Sequence, residues 1–263
     1  MPVLGACDLW RMRCAAFAFA GRWYMTCASA LLAGVLPPMN VFEAVESRIA
    51  CRWFLDRPVD AAVVRDLIAR AARAASGGNL QSWQVYALTG APLAALKAKV
   101  AAHIAGRDPR HDDAEYPIYP ATMWEPYKSR REAHGVQLYG ALGIGRDDAD
   151  GRLAQYKRNF EFFNAPVALF IAIERKLGPG QWADLGGYIS TLMYLARGYG
   201  LDTCPQESWA RMHRIVGEFV DMPPEQMLFC AVAIGYGDHG HPANSFRSPR
   251  AEVDEFCKFF GFE

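Results

Sequence analysis

Helical periodicity is the commonest pattern along the chain. Residues 40–47 open with Asn40 as a helix N-cap and Glu43 as its reciprocal partner, which is the signature of a capping box. Asp60 caps residues 61–75, whose apolar side chains recur every three or four positions. Similar patterns predict four further helices, at residues 91–106, 129–142, 149–163 and 181–200.

Three other segments have the patterns of strands. Residues 82–90 alternate apolar and polar side chains around Trp83, Val85 and Ala87, which predicts a strand with one buried face. Residues 166–174 and 227–237 are continuous apolar runs of strand length, which is typical of strands buried on both faces. Because strands and helices do not alternate strictly, we expect an α+β fold with a sheet surrounded by helices.

The first 38 residues differ from the rest. Residues 11–38 combine basic and apolar stretches somewhat like a secretory signal, but Arg22 divides the apolar part. Neither half therefore reaches the roughly 18 residues of a membrane span. We expect a single domain over residues 39–263, preceded at 1–38 by a poorly ordered extension or a mis-assigned start. A cleaved signal is the alternative.

Composition narrows the class of protein. The chain has 263 residues, 52% of them hydrophobic, and a formal net charge of zero, so we expect a globular protein with a small-molecule partner rather than nucleic acid or a membrane. The seven cysteines include no CxxC pair, which favours scattered reduced thiols and a cytoplasmic protein. His239 and His241 lie in a Gly/Pro loop and predict no metal site.

Four short stretches carry residues suited to chemistry. Each lies at an element boundary, where free backbone amides and side chains can converge. They are Arg48 to Phe54, Ala75 to Trp83, Gly200 to Trp209, and Asn244 to Arg250. Taken singly, each has an ordinary explanation, since an arginine is usually a solvated surface charge and a Gly-Gly-Asn turn usually ends a helix. Their joint order carries the functional argument.

Together these stretches resemble the FMN-dependent nitroreductase family. The family motif R-x-S-x-[RK]-x-[FY] corresponds to RIACRWF at 48–54, and P-S-x-x-N-x-Q-P-W to ASGGNLQSW at 75–83. The motif G-[LV]-x-x-x-P corresponds to GLDTCP at 200–205, and a late basic pair to Arg247 and Arg250. The resemblance covers about residues 39–260. Ala50 departs from it, because the family often has serine there.

The resemblance implies an intertwined homodimer with a mixed, mainly antiparallel sheet and one FMN at each side of the interface. It implies that Arg48 and the pair Arg247 and Arg250 hold the FMN phosphate, with Arg250 favoured of the two. A phosphate dianion suits bidentate, permanently charged arginine. Arg52 would stabilise the negative charge that appears near N1 and O2 of the flavin on reduction.

The remaining cofactor contacts are also implied by motif position. A turn at 205–208, with Pro205, Gln206 and Glu207, would present the backbone N–H of Glu207 to flavin N5. Asn159 would bond the pyrimidine edge. The backbone amide of Ala50 would contact FMN without the family's hydroxyl. The second motif would line the ribityl chain and phosphate through Ser76, Gly77, Gly78 and Asn79.

The implied activity is an oxidoreductase that takes hydride from NADPH or NADH and then reduces a nitroaromatic, quinone or similar electrophile in a ping-pong cycle. The proline-rich and aromatic residues 106–131 would form a lid that shapes substrate choice. Three alternatives stay open: a flavin carrier without nicotinamide turnover, a related enzyme that consumes flavin or dehydrogenates a peptide azoline, and a flavin-free scaffold for a phosphorylated ligand.

Overall fold

The computed structural model describes residues 39–262, so the predictions for residues 1–38 lie outside the described part. The first helix, α1 (Val41–Ser47), begins with the predicted capping box: Asn40 Oδ1 accepts from the Glu43 amide at 3.0 Å, and the Glu43 carboxylate accepts from the Asn40 amide at 2.9 Å. The other helices follow in order. They are α2 (Ala61–Ala71), α3 (Gly90–His103), α4 (Tyr127–Ala141), α5 (Ala149–Lys157), α6 (Pro179–Gly198), α7 (His213–Phe219) and α8 (Val253–Phe256).

A four-stranded sheet lies between these helices. Its strands are β1 (Gln84–Thr89), β2 (Val167–Glu174), β3 (Asp202–Gln206) and β4 (Gln226–Gly235). Their spatial order is β1-β2-β4-β3, and every neighbouring pair is antiparallel. One parallel bridge joins Ala50 to Thr203 beside the sheet. The predicted α+β fold with a mainly antiparallel sheet is confirmed.

The two central strands are buried on both faces, as their continuous apolar sequences predict. On one face they pack against α3, α7 and two 3₁₀ helices (Arg158–Asn164 and Glu207–Met212), and on the other against α2 and α6. The predicted alternation in β1 is wrong in its second half, because Leu88 is buried and Ala87 is exposed. β1 is an edge strand, and its Leu88 is covered because it packs in the same cluster as Leu93 and Leu96 of α3.

Two further sequence predictions require correction. The turn predicted at 205–208 is wrong for Pro205 and Gln206, which lie in β3 and pair with Val232 and Ala231 of β4. The helix predicted to reach residue 163 ends at Lys157 and continues as a 3₁₀ segment, Arg158–Asn164. There Phe162 and Phe163 adopt φ of 54° and 52°, which places both rings in the core.

The extended segment after α1 runs along the edge of the sheet. The Cys51 amide donates to the Thr203 carbonyl at 2.9 Å, and Phe54 forms a bridge with Gly237. Residues 48–54 are thereby fixed between β3 and the chain that leaves β4. This arrangement brings the first, third and fourth stretches into one region.

Candidate functional site

A cleft of about 450 Å³ opens where the first and fourth stretches meet. We call it the arginine pocket. It is lined mainly by Arg48, Ala50, Arg52, Tyr194, Arg247 and Arg250. Its volume lies within the range of ordinary small-molecule sites. The structure therefore brings together all four arginines that the sequence proposed.

Asn244 holds the two walls of the pocket together. Its buried side chain accepts from the Arg52 amide at 2.7 Å and donates to the carbonyls of Trp53 at 2.9 Å and Asp238 at 2.8 Å. Both N–H donors and the oxygen of this side-chain amide have partners, so Asn244 couples the positions of the two walls. Sequence reasoning did not single out Asn244, because its partners lie up to 192 positions away.

The pocket has an excess of positive charge. Within residues 39–262, none of its four guanidinium groups forms an ion pair with a carboxylate. Burial lowers the pKa of the half-buried Arg48, and the nearby Arg250 and Arg247 lower it further. Arginine nevertheless stays charged, and like charges held together in this way favour a bound anion.

Arg52 is directed by contacts inside the pocket. Its Nη1 donates to the Ala50 carbonyl at 3.4 Å, and its Nη2 lies 3.3 Å from Nε2 of His134. His134, on α4, also lies 2.9 Å from the Ser248 hydroxyl through Nδ1. No motif pointed to His134, which is 82 positions from Arg52 along the chain.

The third stretch forms a second group of polar atoms with Asn159. The side-chain Nε2 of Gln206 donates to the Asn159 carbonyl at 2.8 Å and to its Oδ1 at 3.2 Å. Asn159 Nδ2 in turn donates to the Tyr156 carbonyl at 2.8 Å. Asn159 is thus held against β3. In the described part of the chain, the buried side-chain oxygens of Gln206 and Ser208 have no hydrogen-bond partner.

Glu207 begins the 3₁₀ helix Glu207–Met212 that follows β3. The first N–H groups of a helix have no acceptor inside it, so its backbone amide is suited to an external acceptor. Burial raises the pKa of its carboxyl group. The local geometry is therefore compatible with the predicted role of this amide. The amide lies at the start of a 3₁₀ helix that directly follows β3, and not in the turn predicted at 205–208.

The second stretch lies apart from the arginine pocket of its own chain. The Gly77 amide donates to Asp184 on α6 at 3.1 Å, whereas Tyr194 of the same helix lines the pocket. Ten helical positions correspond to about 15 Å. Ser76, Gly77, Gly78 and Asn79 are therefore not among the residues around the pocket within one chain.

Comparison with known proteins defines the family. The family model described as the nitroreductase family matches residues 45–236. The chain belongs to this family. The predicted membership of the nitroreductase family is thereby confirmed.

Named relatives of this nitroreductase-family chain act on nitroaromatic compounds. It is 37% identical over 223 residues to a 4-nitrobenzoate reductase of Pseudomonas putida, covering 84% of this chain and 96% of the relative. It is 34% identical over 218 residues to a nitrobenzene nitroreductase of Ectopseudomonas oleovorans, covering 82% and 95%.

Solved structures agree with this assignment. The FMN and NADPH-dependent nitroreductase NfnB from sphigopyxis sp. strain HMH is similar with a TM-score of 0.82 and 41% identity, over 85% of this chain and all of that one. NfnB from Mycobacterium smegmatis, solved in complex with NADPH, has a TM-score of 0.78 and 25% identity, over 84% of this chain and all of that one.

The segment predicted as a lid has an anchored and an exposed part. The Tyr116 hydroxyl donates to the Phe229 carbonyl at 2.7 Å, and its ring packs against Phe229 and Trp182. Tyr116 therefore fastens the segment to β4 and α6. Three later aromatic residues are half or more exposed: Tyr119 (52%), Trp124 (58%) and Tyr127 (51%).

The described residues show neither a metal-binding cluster nor a membrane-spanning helix. Among residues 39–262, no three His, Cys, Asp or Glu side chains are grouped so that they could hold a metal ion. Over the same residues, no helix has both the length and the apolar character needed to cross a membrane. Cys51, Cys204, Cys230 and Cys257 are free thiols.

Proposed function

We propose that this chain is an FMN-dependent oxidoreductase that uses NADPH or NADH to reduce nitroaromatic compounds and similar flat electrophiles, such as quinones. The single observation that carries the proposal is the arginine pocket, in which four guanidinium groups without a carboxylate partner among residues 39–262 surround a cleft of about 450 Å³. Relatives named as 4-nitrobenzoate and nitrobenzene reductases support the reaction class.

The residues of the pocket fit FMN. Arg48 and Arg250 would hold its phosphate, with Arg247 beside them, because permanently charged bidentate donors match a phosphate dianion. The Arg52 guanidinium would lie at the edge of the flavin ring where negative charge collects on reduction. When bound, FMN supplies a carrier that accepts two electrons from the nicotinamide and passes them to the substrate.

Other residues would position the ring without taking part in bond making. The Glu207 amide would donate to the flavin. The side-chain oxygens of Gln206 and Ser208, which have no partner among residues 39–262, would accept from polar groups nearby. Pro205 and the Ala50 backbone would shape the floor, since both lie where β3 meets the first stretch. Asn159 would form a hydrogen bond to the pyrimidine edge of the flavin through side-chain atoms that Gln206 does not occupy.

We propose a homodimer, because the second stretch contacts Asp184 of α6, about 15 Å along the helix from Tyr194 in the pocket of its own chain. A second copy would supply Ser76, Gly77, Gly78 and Asn79 to the ribityl chain and phosphate. Exposed Val41, Phe42 and Val45 on α1, beside the pocket, support an apolar contact there, since they are 65%, 75% and 46% exposed.

The substrate would meet the exposed aromatic part of the lid, residues 119–127. A ping-pong cycle follows from one shared site, because the nicotinamide must leave before a flat electrophile can take its place. Swapping residues 117–126 with those of a relative should change substrate preference. We also propose a cytoplasmic location, in keeping with the four free thiols of the described residues.

An anaerobic titration tests the proposed function. The purified full-length chain should be yellow, and NADPH or NADH should bleach it; later addition of 4-nitrobenzoate or nitrobenzene should restore the colour. A protein that binds FMN but is not bleached would be a carrier. A protein that cannot be loaded with FMN would be a flavin-free scaffold. Consumption of the FMN itself would identify a flavin-degrading enzyme.

A further inference from the structure

A single imidazole links Arg52 to the opposite wall of the arginine pocket. His134 projects from α4, with Nε2 at 3.3 Å from Arg52 Nη2 and Nδ1 at 2.9 Å from the Ser248 hydroxyl. Its ring also packs against Phe246 at a centroid distance of 5.8 Å. Neither the four motifs nor the proposed cofactor contacts include this residue.

The chemistry of the two contacts defines the protonation state of the ring. A guanidinium group can only donate hydrogen bonds, so Nε2 of His134 must accept from Arg52. An imidazole with an accepting Nε2 is neutral and carries its proton on Nδ1. That proton is then donated to the Ser248 oxygen, between Arg247 and Arg250.

We propose that His134 is a positioning residue that holds the Arg52 guanidinium in the pocket and ties it to the 246–250 loop. The inference rests on the proposed function, in which Arg52 faces the flavin ring. Within residues 39–262, the only other hydrogen bond of the Arg52 side chain is the 3.4 Å contact with the Ala50 carbonyl. An arginine side chain without such a contact would occupy many rotamers.

The surrounding charges keep the imidazole neutral. Burial lowers the pKa of His134, and the positive charges of Arg52 and Arg250 lower it further. On its own helix, Arg130 forms an ion pair with Glu255 of α8 at 3.1 Å, and Arg131 lies over the Tyr119 ring at 4.4 Å. No carboxylate from the described elements pairs directly with the ring.

This arrangement couples the ring to anions in the pocket. A bound phosphate would offset the charges of the arginines, so the pKa of His134 should rise when an anion enters. If Arg52 were replaced by methionine, the ring would lose both its donor and a positive neighbour. Its pKa should then rise even in the absence of any ligand.

Nitrogen NMR of the full-length chain, labelled at histidine, tests the contact without depending on flavin. H134Q identifies the resonance. The wild type should show the Nδ1–H tautomer, and both R52M and added inorganic phosphate should raise the pKa of His134. An Nε2–H tautomer, or a pKa that R52M leaves unchanged, would overturn the positioning role.

The flavin potential tests the consequence for the site. H134F removes both hydrogen bonds but keeps a ring, whereas H134Q can still accept from Arg52. H134F should lower the preference for reduced over oxidised FMN roughly tenfold, which is about 30 mV for a two-electron couple, and H134Q should restore part of it. The exposed His111 provides the control variant, H111Q, which should leave the potential unchanged.

The possible failures are distinguishable. An unchanged potential in H134F, with FMN bound as in the wild type, would overturn the role of His134 but leave the proposed function intact. Failure of the wild type to bind FMN would remove the proposed function, while the NMR measurement would still decide whether His134 holds Arg52.

Discussion

Replacing Arg48 with methionine should affect the stability of the ligand-free chain and its affinity for FMN in opposite ways. Methionine keeps an unbranched apolar stem and removes a half-buried charge that has no carboxylate partner in the described residues. Because Arg247 and Arg250 repel this charge, R48M should be as stable as the wild type without ligand, or more stable. The same change should weaken FMN binding strongly.

The size of the binding effect follows from the contacts available. A bidentate arginine makes two charge-assisted hydrogen bonds to phosphate, each contributing about 1.5–3 kcal/mol when well formed. Partial exposure of Arg48 screens these interactions, so we expect a total loss of about 2–4 kcal/mol. At 1.4 kcal/mol per factor of ten, the dissociation constant of FMN should rise roughly 30-fold to 700-fold.

Fluorescence titration with FMN and thermal melts without it measure the two effects. R65M is the matched control, since Arg65 is exposed on α2, outside the pocket, and should show wild-type binding. An R48M protein with wild-type affinity for FMN would refute the assignment of the phosphate to the arginine pocket. A melting temperature well below that of the wild type would refute the argument from charge repulsion.

Three further changes test the packing around the site, each by chemical denaturation. G237A should lose about 1–3 kcal/mol, because an added Cβ would lie 2.7 Å from the Asp202 carboxylate, whereas G186A has open space and should not destabilise. D202N should lose about 3 kcal/mol, since it leaves the largely covered cation of Arg197, which lies 2.8 Å from the buried Asp202, without its charge partner. Y116F should lose about 1 kcal/mol without a change in substrate preference, because Tyr116 anchors the lid segment against the sheet.

Local sequence patterns predicted two kinds of element correctly: helix ends that are stabilised by neighbouring residues, and strands that are buried on both faces. The N-cap at Asn40 and the two central strands are examples, since capping and continuous apolar runs are visible within ten residues. Strand β3 was missed because it contains Pro205. Proline is tolerated there since β3 is an edge strand, and its pairing with Val232 depends on a partner far along the chain.

The course of the chain after α5 was also beyond local reasoning. Phe162 and Phe163 adopt left-handed backbone conformations that bulky residues rarely take. The ring of Phe162 stacks on the fully buried Trp209 at 4.5 Å, so tertiary packing overrides the local preference for helix. Only the folded core supplies this partner.

In the candidate site, too, the sequence revealed some residues and not others. The order of motifs pointed to Arg48, Arg52, Arg247 and Arg250, which line one pocket. It could not identify Asn244 and His134, whose contacts with Arg52 join segments distant in sequence. Nor could it reveal that the second stretch lies away from this pocket in a single chain, because motif order carries no information on which copy contributes each motif.

The most direct test of the central claim compares FMN with riboflavin, which differs only by lacking the phosphate. The claim is that the arginine pocket binds a phosphate group. Titration of the apo full-length chain should show FMN binding at least about 100-fold more tightly than riboflavin, with the difference decreasing as salt increases. Equal affinity for the two ligands at low salt would contradict the account.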